Sequence, residues 1–394
     1  MRRISFTPRV IFSFCIFSLV TSCSVGTRSN ENNDSRTLVS DQQHTIVKRQ
    51  SIGNCWLYAT ASWAEALYLN KTGKEIDLSE SYWTWWWFYY QLAYKTDIAK
   101  IQTGGSWSVS SQILASHGVI EEAKFIPDEA GTTMSIRQAQ AEAYINQQLS
   151  SGGKLSTKEN RTEENIKKEL DKAFGTNMKE AEQYVVKAKD FIVGTTKDGK
   201  DISLFDSVGG SQYADGSDSP NMWQQVDVPQ IVGKDVILSQ EGENERANVM
   251  FRVLKALNDH QPVLISVMID FNALDIVDAT FKASRIEQPY QTGSQGGHMV
   301  VLDDYAVDDA PFIGTIPEGE AISKLTKILA TRGKLRYLKA KNSWGANRPE
   351  RGLTDGYTRF SWEYLSQPLP WKDEKTGQVE FYSGLSEVIL PAGY

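Results

Sequence analysis

The stretch Val47-Lys48-Arg49-Gln50-Ser51-Ile52-Gly53-Asn54-Cys55-Trp56 decides how the rest of the chain is read. Cys55 opens the run CWLYATASWAEALYLN (55 to 70), in which alanines and apolar residues recur at helical spacing. The thiol is therefore predicted at or near the start of a buried helix. A helix N-terminus carries partial positive charge and lowers the pKa of a thiol placed there. The thiolate is the nucleophilic form, so this placement suits covalent catalysis and calls for a base nearby.

The sequence offers few candidates for that base. It has four histidines and three cysteines, the latter at 15, 23 and 55. That cysteine count excludes a disulfide scaffold and a cysteine-based zinc site. His44 falls in a polar tether, His117 precedes the helix-ending Gly118, and His260 sits in the turn Asn258-Asp259-His260. Each reads as structural, solvated or capping. His298 differs: it follows Gly296-Gly297 and opens the apolar strand Met299-Val300-Val301-Leu302. Further on comes Lys341-Asn342-Ser343-Trp344-Gly345. An Asn oxygen can accept an imidazole N–H and hold the ring in one tautomer.

The chain has 394 residues, 40% of them hydrophobic and 23% charged, enough for one large core or two moderate ones. A formal net charge of -7 argues against nucleic-acid binding, which needs a basic face. Helices are expected over 55–70, 79–95 with Ser79 as N-cap, and 107–117. The second carries Tyr82, Trp83, Trp85, Trp86, Trp87, Phe88, Tyr89 and Tyr90, an aromatic load that fits core packing better than a sugar-stacking or membrane-dipping face. Between 130 and 235 the character changes: charged helical segments (134–149, 161–174, 178–189), then a strand-and-turn region near 190–205, read together as an insertion. A helix over 243–259 and strands over 262–269, 298–306, 335–342, 356–361 and 380–390 follow. The pattern is α+β with segregated elements, helical first and β-rich last. No fixed-period repeat is present.

Taken in order, Gly53-Asn54-Cys55-Trp56, Gly297-His298-Met299 and Asn342-Ser343-Trp344-Gly345 resemble the papain-like cysteine peptidases. Leu78-Ser79-Glu80, the pair Gly104-Gly105, Gln261-Pro262-Val263 and Gly356-Tyr357 match the family's flanking segments in the same order. The bleomycin-hydrolase-like branch matches best, through Ser79-Glu80-Ser81-Tyr82 and the long insertion. The resemblance implies a two-lobed papain-like fold: a helical lobe (45–129), the insertion (130–235) and a β-rich lobe (236–394). It implies Cys55 as nucleophile, His298 as base and acid, Asn342 as orienter and Gln50 as oxyanion donor. It places Gly104, Gly105, Gly297 and Trp344 against substrate, and requires no metal or cofactor. One departure concerns the donor. The family's glutamine lies six residues before the cysteine, where this sequence has Arg49. A one-residue deletion near 51–52 keeps Gln50 in the role, and Gln50 rather than Arg49 is expected to face the thiol.

The activity implied is hydrolysis of peptide bonds in a peptide or protein substrate. Two other readings stay open: another thiol acyl transfer, such as amidase or transamidase chemistry, and a non-catalytic peptide-binding surface protein. Gly194 to Lys200, GTTKDGK, approaches a phosphate-loop pattern, but Asp201 replaces its Ser/Thr and Lys197-Asp198-Gly199-Lys200 reads as a hairpin turn. The acidic pairs at 303–304 and 308–309, and the 215–218 stretch, lack the alternating ligands of a calcium loop.

At the N-terminus, Arg2, Arg3 and Arg9 precede the apolar run Val10–Val20, and Val20-Thr21-Ser22-Cys23 resembles the lipobox of bacterial lipoproteins. A signal peptide over 1–22, acylation of Cys23 and a flexible tether to residue 44 are expected. The protein would then be exported and membrane-anchored, at the outer membrane or cell surface, with no space for a long inhibitory propeptide. At the other end, Leu390-Pro391-Ala392 matches a segment after which the bleomycin-hydrolase branch sends an arm into its cleft. Only two residues follow here, so a cleft open on both sides and internal cuts are expected.

Overall fold

Two hydrophobic periodicities divide the chain, and each builds its own core. The computed structural model describes residues 37–38, 42–209, 219–234, 237–290 and 295–394, all within the compact unit Arg36–Tyr394. The expected signal peptide, Cys23, nearly all of the tether and the 215–218 stretch lie outside the described residues.

The period of 3.6 comes first. Helix α1, Cys55–Thr72, ends at Gly73, whose left-handed backbone (φ 68°) returns its N–H to Leu69 O at 2.7 Å. Helix α2, Glu80–Tyr94, begins where Ser79 Oγ accepts from the Tyr82 N–H at 3.0 Å, as its N-cap signal predicts. Its Tyr82, Trp83, Trp85 and Phe88 are buried, while Trp86, Trp87, Tyr89 and Tyr90 stay partly exposed. Helix α3, Trp107–His117, stops at Gly118, where a side chain would meet Val186 O at 2.2 Å. Helices α4, Ile136–Leu149, and α5, Glu163–Phe174, come from the expected insertion. They are no appendage. Ala141, Ile145, Ile166, Leu170 and Phe174 lie in one core with Trp56, Trp63 and Trp83. Trp63 meets Trp107 and Trp223 edge-on, with centroids 5.1 and 5.2 Å apart. The helix predicted over 178–189 shortens to Met178–Ala181 and a 3-10 turn, because Val186 exchanges backbone hydrogen bonds with Val119 instead.

The period of two follows. The strands are β1 (Gln224–Asp227), β2 (Leu264–Asp270), β3 (Gln295–Ala310), β4 (Lys334–Lys341), β5 (Tyr357–Ser361), β6 (Pro368–Lys372), β7 (Val379–Ser383) and β8 (Leu385–Leu390). One sheet runs β1-β8-β2-β3-β4-β5 and continues through Thr280–Phe281 and Leu274–Asp275. Its neighbours are antiparallel except Thr280–Phe281, which runs parallel to β5. Helix α6, Gln240–Asn258, packs against it. Along β3 the two faces alternate: Met299 and Val301 join the helical core, Val300 and Leu302 the sheet core. The sheet is thus a wall common to both cores, and the expected α+β architecture is the one observed.

Three boundaries move. The strand expected over 380–390 is two strands, divided at Gly384, where a side chain would lie 2.2 Å from Tyr364 O. The sequence gives no sign of β6, because Pro368 and Pro370 argue against a strand; it survives in a two-stranded hairpin with β7. The tether ends before residue 44. Gln42 is buried, and of the structural, solvated and capping roles open to His44 the structural one holds: its side chain is fully buried with Nε2 3.4 Å from Leu302 O. Burial, aided by the Lys341 ammonium, depresses its pKa to about 3.

Candidate active site

Cys55 is the first residue of α1 and is buried. Asn54, just before it, is fixed by its Nδ2 donating to Thr84 Oγ1 and Gln138 Oε1, both at 3.0 Å, so α2 and α4 set the start of α1. His298 lies near the start of β3, opposite Val267 of β2. Asn342 follows the last residue of β4, its N–H bonded to Gly356 O at 3.1 Å. Three elements distant in sequence therefore meet where the sheet faces the N-terminus of α1.

The His298 Nε2 lies 2.8 Å from Asn342 Oδ1. That oxygen also accepts from the Ser343 N–H at 2.7 Å, and Asn342 Nδ2 donates to Thr358 Oγ1 at 3.0 Å. The amide is thereby fixed with its oxygen toward the ring, and Nδ1 is left for Cys55. Trp344 stacks on the imidazole at 4.9 Å and 25°. Burial alone would push the Cys55 thiol up, but the charge and hydrogen bond of His298 outweigh it and lower its pKa. Burial would push the His298 imidazole down, but Cys55 and then Asn342 raise it, with Arg351 opposing. Each partner favours the charged form of the other, the condition for a thiolate–imidazolium pair.

Gln50 is held by the segment that pairs with the Asn342 turn. Its N–H donates to Ser343 O at 2.9 Å, and Gly345 N–H donates back to Lys48 O at 3.2 Å. Its side-chain Oε1 accepts from Ser343 Oγ at 2.6 Å and its Nε2 donates to Ile52 O at 2.8 Å, which leaves the second amide hydrogen. Gln50, Gly297, His298 and Trp344 line one cavity of about 810 Å³. Arg49 lines it too, together with Arg348 and Arg351. Gly297 also borders a second cavity of about 550 Å³ reaching β6 and β7, and a side chain there would meet nothing within 4 Å. Gly104 and Gly105 are exposed beside Trp56, whose Nε1 donates to Thr103 O at 3.0 Å. A side chain at Gly105 would lie 2.4 Å from that indole, whereas Gly104 has open space.

Behind Asn342 lies a second charged group. Lys48 Nζ donates to Leu78 O at 2.8 Å and to both Glu80 oxygens at 3.0 Å, with Asp77 and Glu65 also in range. Burial opposes the Lys48 charge, but Glu80, Glu65 and Asp77 hold its pKa well above the ordinary value. Lys341 donates to Thr45 Oγ1 at 3.1 Å, and burial lowers its pKa to about 8.

The remaining histidines and decoys are accounted for locally. His117 stacks on Trp86 at 3.5 Å, and its Nε2 lies 2.5 Å from the Tyr90 hydroxyl. His260 has φ 57° in its turn. Thr196 to Lys200 is a hairpin turn closed by Thr196 N–H to Lys200 O at 2.8 Å. Asp303 pairs with Lys339 at 2.9 Å, and Asp304 accepts from the Tyr305 and Gly319 N–H groups. The supporting roles of Ser343 and Thr358, and the presence of Arg348 and Arg351 at the cleft, have no counterpart in the sequence reading, which weighs Arg49 alone of the three arginines. Only the adjacency of Ser343 to Asn342 hints at one of them.

No family model matches the sequence, and no curated protein is matched by it. Among solved structures the protein is similar to PepW of Lactobacillus rhamnosis HN001, with 13% identity, a TM-score of 0.40, and an alignment spanning 90% of this sequence and 82% of that one. It is similar to xylellain, a cysteine protease from Xylella fastidiosa, with 14% identity, a TM-score of 0.36, and coverage of 90% and 86%. It is also similar to the bromelain protease of Ananas comosus in complex with the E64 inhibitor, with 17% identity, a TM-score of 0.35, and coverage of 89% and 94%.

Proposed function

We propose that the protein is a cysteine-type peptidase of the papain-like kind, nearest in sequence pattern to the bleomycin-hydrolase branch. The observation that carries this reading is the single imidazole of His298, bonded on one side to Asn342 Oδ1 at 2.8 Å and paired on the other with a thiol at a helix start. The Cys55 sulfur attacks the peptide carbonyl carbon. The developing oxyanion takes hydrogen bonds from the Cys55 N–H and the remaining Gln50 amide hydrogen. His298 gives its proton to the departing amine, leaving a thioester. It then takes a proton from water, whose oxygen adds to the thioester and expels the thiolate. Asn342 keeps the ring in the tautomer and orientation both steps need.

The same reading places the protein outside the cytoplasm, anchored through acylated Cys23. Its support is the basic, apolar and small-residue order of residues 2–23. Cys23→Ala would then move the protein from the membrane fraction to the soluble one, and retention in the membrane would refute the anchor.

Reaction with an epoxide thiol inhibitor, adduct mapping and digestion of a peptide library test the activity. An adduct at Cys55 together with library cleavage is expected. An adduct without cleavage would point to another acyl transfer, and neither result would leave a binding protein.

A further inference from the structure

The cavity beside His298 has an unusual sign of charge for a protein of net charge -7. Arg49, Arg348 and Arg351 line it, and among the described residues Glu350 is the only carboxylate in its wall. Glu350 is engaged by Arg348 Nε, and Arg348 also donates to Trp344 O at 3.2 Å. Arg49 and Arg351 pair with no carboxylate among the described residues.

Arg351 is also placed. Its guanidinium lies 4.2 Å from the Phe271 ring centroid and 4.9 Å from that of Trp344. Stacking fixes the plane of the fork while leaving its N–H edges for a ligand. Arg49 lies with its aliphatic stem along Gly345, where a side chain would come within 3.4 Å of it. Burial and the neighbouring Arg348 oppose the charge on Arg351, Glu350 partly offsets them, and Arg49 adds to the opposition, so an anion entering here relieves the repulsion that Glu350 leaves.

Which part of a substrate reaches this wall follows from the chemistry. His298 delivers its proton to the departing amine, so the cavity on the Trp344 side of the ring receives the substrate residues that follow the broken bond. Trp344 lies 4.9 Å from both the imidazole and Arg351, which puts Arg351 within about 10 Å of the ring, the reach of roughly two to three extended residues. The cavity at the opposite end, past Gly297, carries Asp373 and Glu380 instead.

We propose that Arg351, with Arg49, forms a carboxylate-recognition subsite on the leaving-group side of the cleft, favouring substrates with a carboxylate within the first residues after the scissile bond. This rests on the peptidase reading above. The carboxylate can be an Asp or Glu side chain or the substrate's own C-terminus.

Three peptide sets sharing one randomised acyl side separate these cases. One has neutral residues after the bond and an amidated end, one has Glu at the first or second position and an amidated end, and one is neutral with a free C-terminal carboxylate two residues on. At least one carboxylate set should show kcat/KM about tenfold above the neutral amides, the scale of one charge-assisted contact. Preference for the Glu set alone identifies an internal acidic residue, and preference for the free-acid set a terminal carboxylate. The ratio should fall toward one in Arg351→Met and in the exposed Arg49→Met, and shrink with added salt. Arg351→Lys, which keeps the charge but not the fork, should recover part of it. Equal cleavage of all sets, or a preference untouched in both Met variants, would overturn the proposal while leaving the peptidase reading standing. If no set is cleaved, the peptidase reading fails, and binding of the same sets to the Cys55→Ser protein still decides. Tighter binding of a carboxylate set that disappears in the arginine variants supports the subsite, and equal binding overturns it.

Discussion

Two charged assemblies lie close to Asn342, and they differ in what they leave unfinished. Around Lys48, the ammonium meets the buried Glu80 and Glu65, a backbone carbonyl and the partly exposed Asp77, all supplied by the protein itself. Around Cys55 and His298, the ring is held by Asn342 on the inner side, while Trp344 stacks on it and lines the cavity that His298 borders. A buried charge with every partner supplied contributes to folding and has nothing to offer a ligand. A charge pair whose outer side meets a cavity can spend its interactions on a reacting group. Local burial is similar in both, so the open side is what marks the reactive site.

Substitution should separate the two assemblies cleanly. Cys55→Ser removes the thiolate but almost no volume, so peptide turnover should fall by about 10⁴-fold or more, with stability changed by less than roughly 1 kcal/mol. Steady-state kinetics and a urea titration on the same preparation check both halves. Turnover near the wild-type rate would end the peptidase reading.

Lys48→Met should do the reverse. It leaves Glu80 and Glu65 without their cation and should cost about 3–5 kcal/mol of unfolding free energy, read from urea midpoints. Adding Glu80→Leu should recover part of that loss, because an apolar pair substitutes for a buried ion pair better than half of one does. A Lys48→Met protein as stable as the wild type would mean that the assembly is not paired as described.

Asn342 belongs to the reactive side and holds rather than reacts. Asn342→Ala should lower kcat by about 10- to 100-fold, well short of the Cys55 effect, since the imidazole loses its orienting acceptor but keeps its place in β3. Thr358→Val should act in the same direction and more weakly, because Thr358 reaches the ring only through the Asn342 amide. An effect of Thr358→Val equal to that of Asn342→Ala would assign Thr358 a more direct part.

The reactive assembly is far more legible in the sequence than the buried one. Cysteine and histidine are rare here, so Cys55 and His298 stand out by elimination, and Asn342 by its Asn-Ser-Trp-Gly surroundings. Helix starts and stops carry local signals, and Ser79 and Gly118 act where those signals put them. The Lys48 assembly has no such signal. Lysine and glutamate are common surface residues, and only folding reveals that Lys48, Glu65 and Glu80 share one interior. The arginine wall is hidden for the same reason: Arg49 reads only through its spacing from Cys55, and Arg348 and Arg351 lie nearly 300 residues further on. The insertion looks separable in sequence because charged surface positions surround the residues that enter the common core, such as Ile145 and Phe174, which are spread through it.

The smallest expected effect is a shift in pH dependence. The pair works with His298 protonated, so activity falls as pH rises through the imidazole pKa. Burial lowers that pKa, Cys55 and Asn342 raise it, and Arg351 lowers it again. Removing the Arg351 charge removes a repulsion on the imidazolium, so in Arg351→Met the alkaline limb of the kcat/KM profile should move to higher pH. Asp or Glu at position 351 should move it further the same way. Lys48→Met, assayed where it remains folded, should leave that limb in place, because the Lys48 charge is neutralised by its own carboxylates before it reaches the ring. A downward shift in Arg351→Met, or an equal shift in both variants, would mean that the two assemblies are electrostatically continuous and that the division between them is wrong.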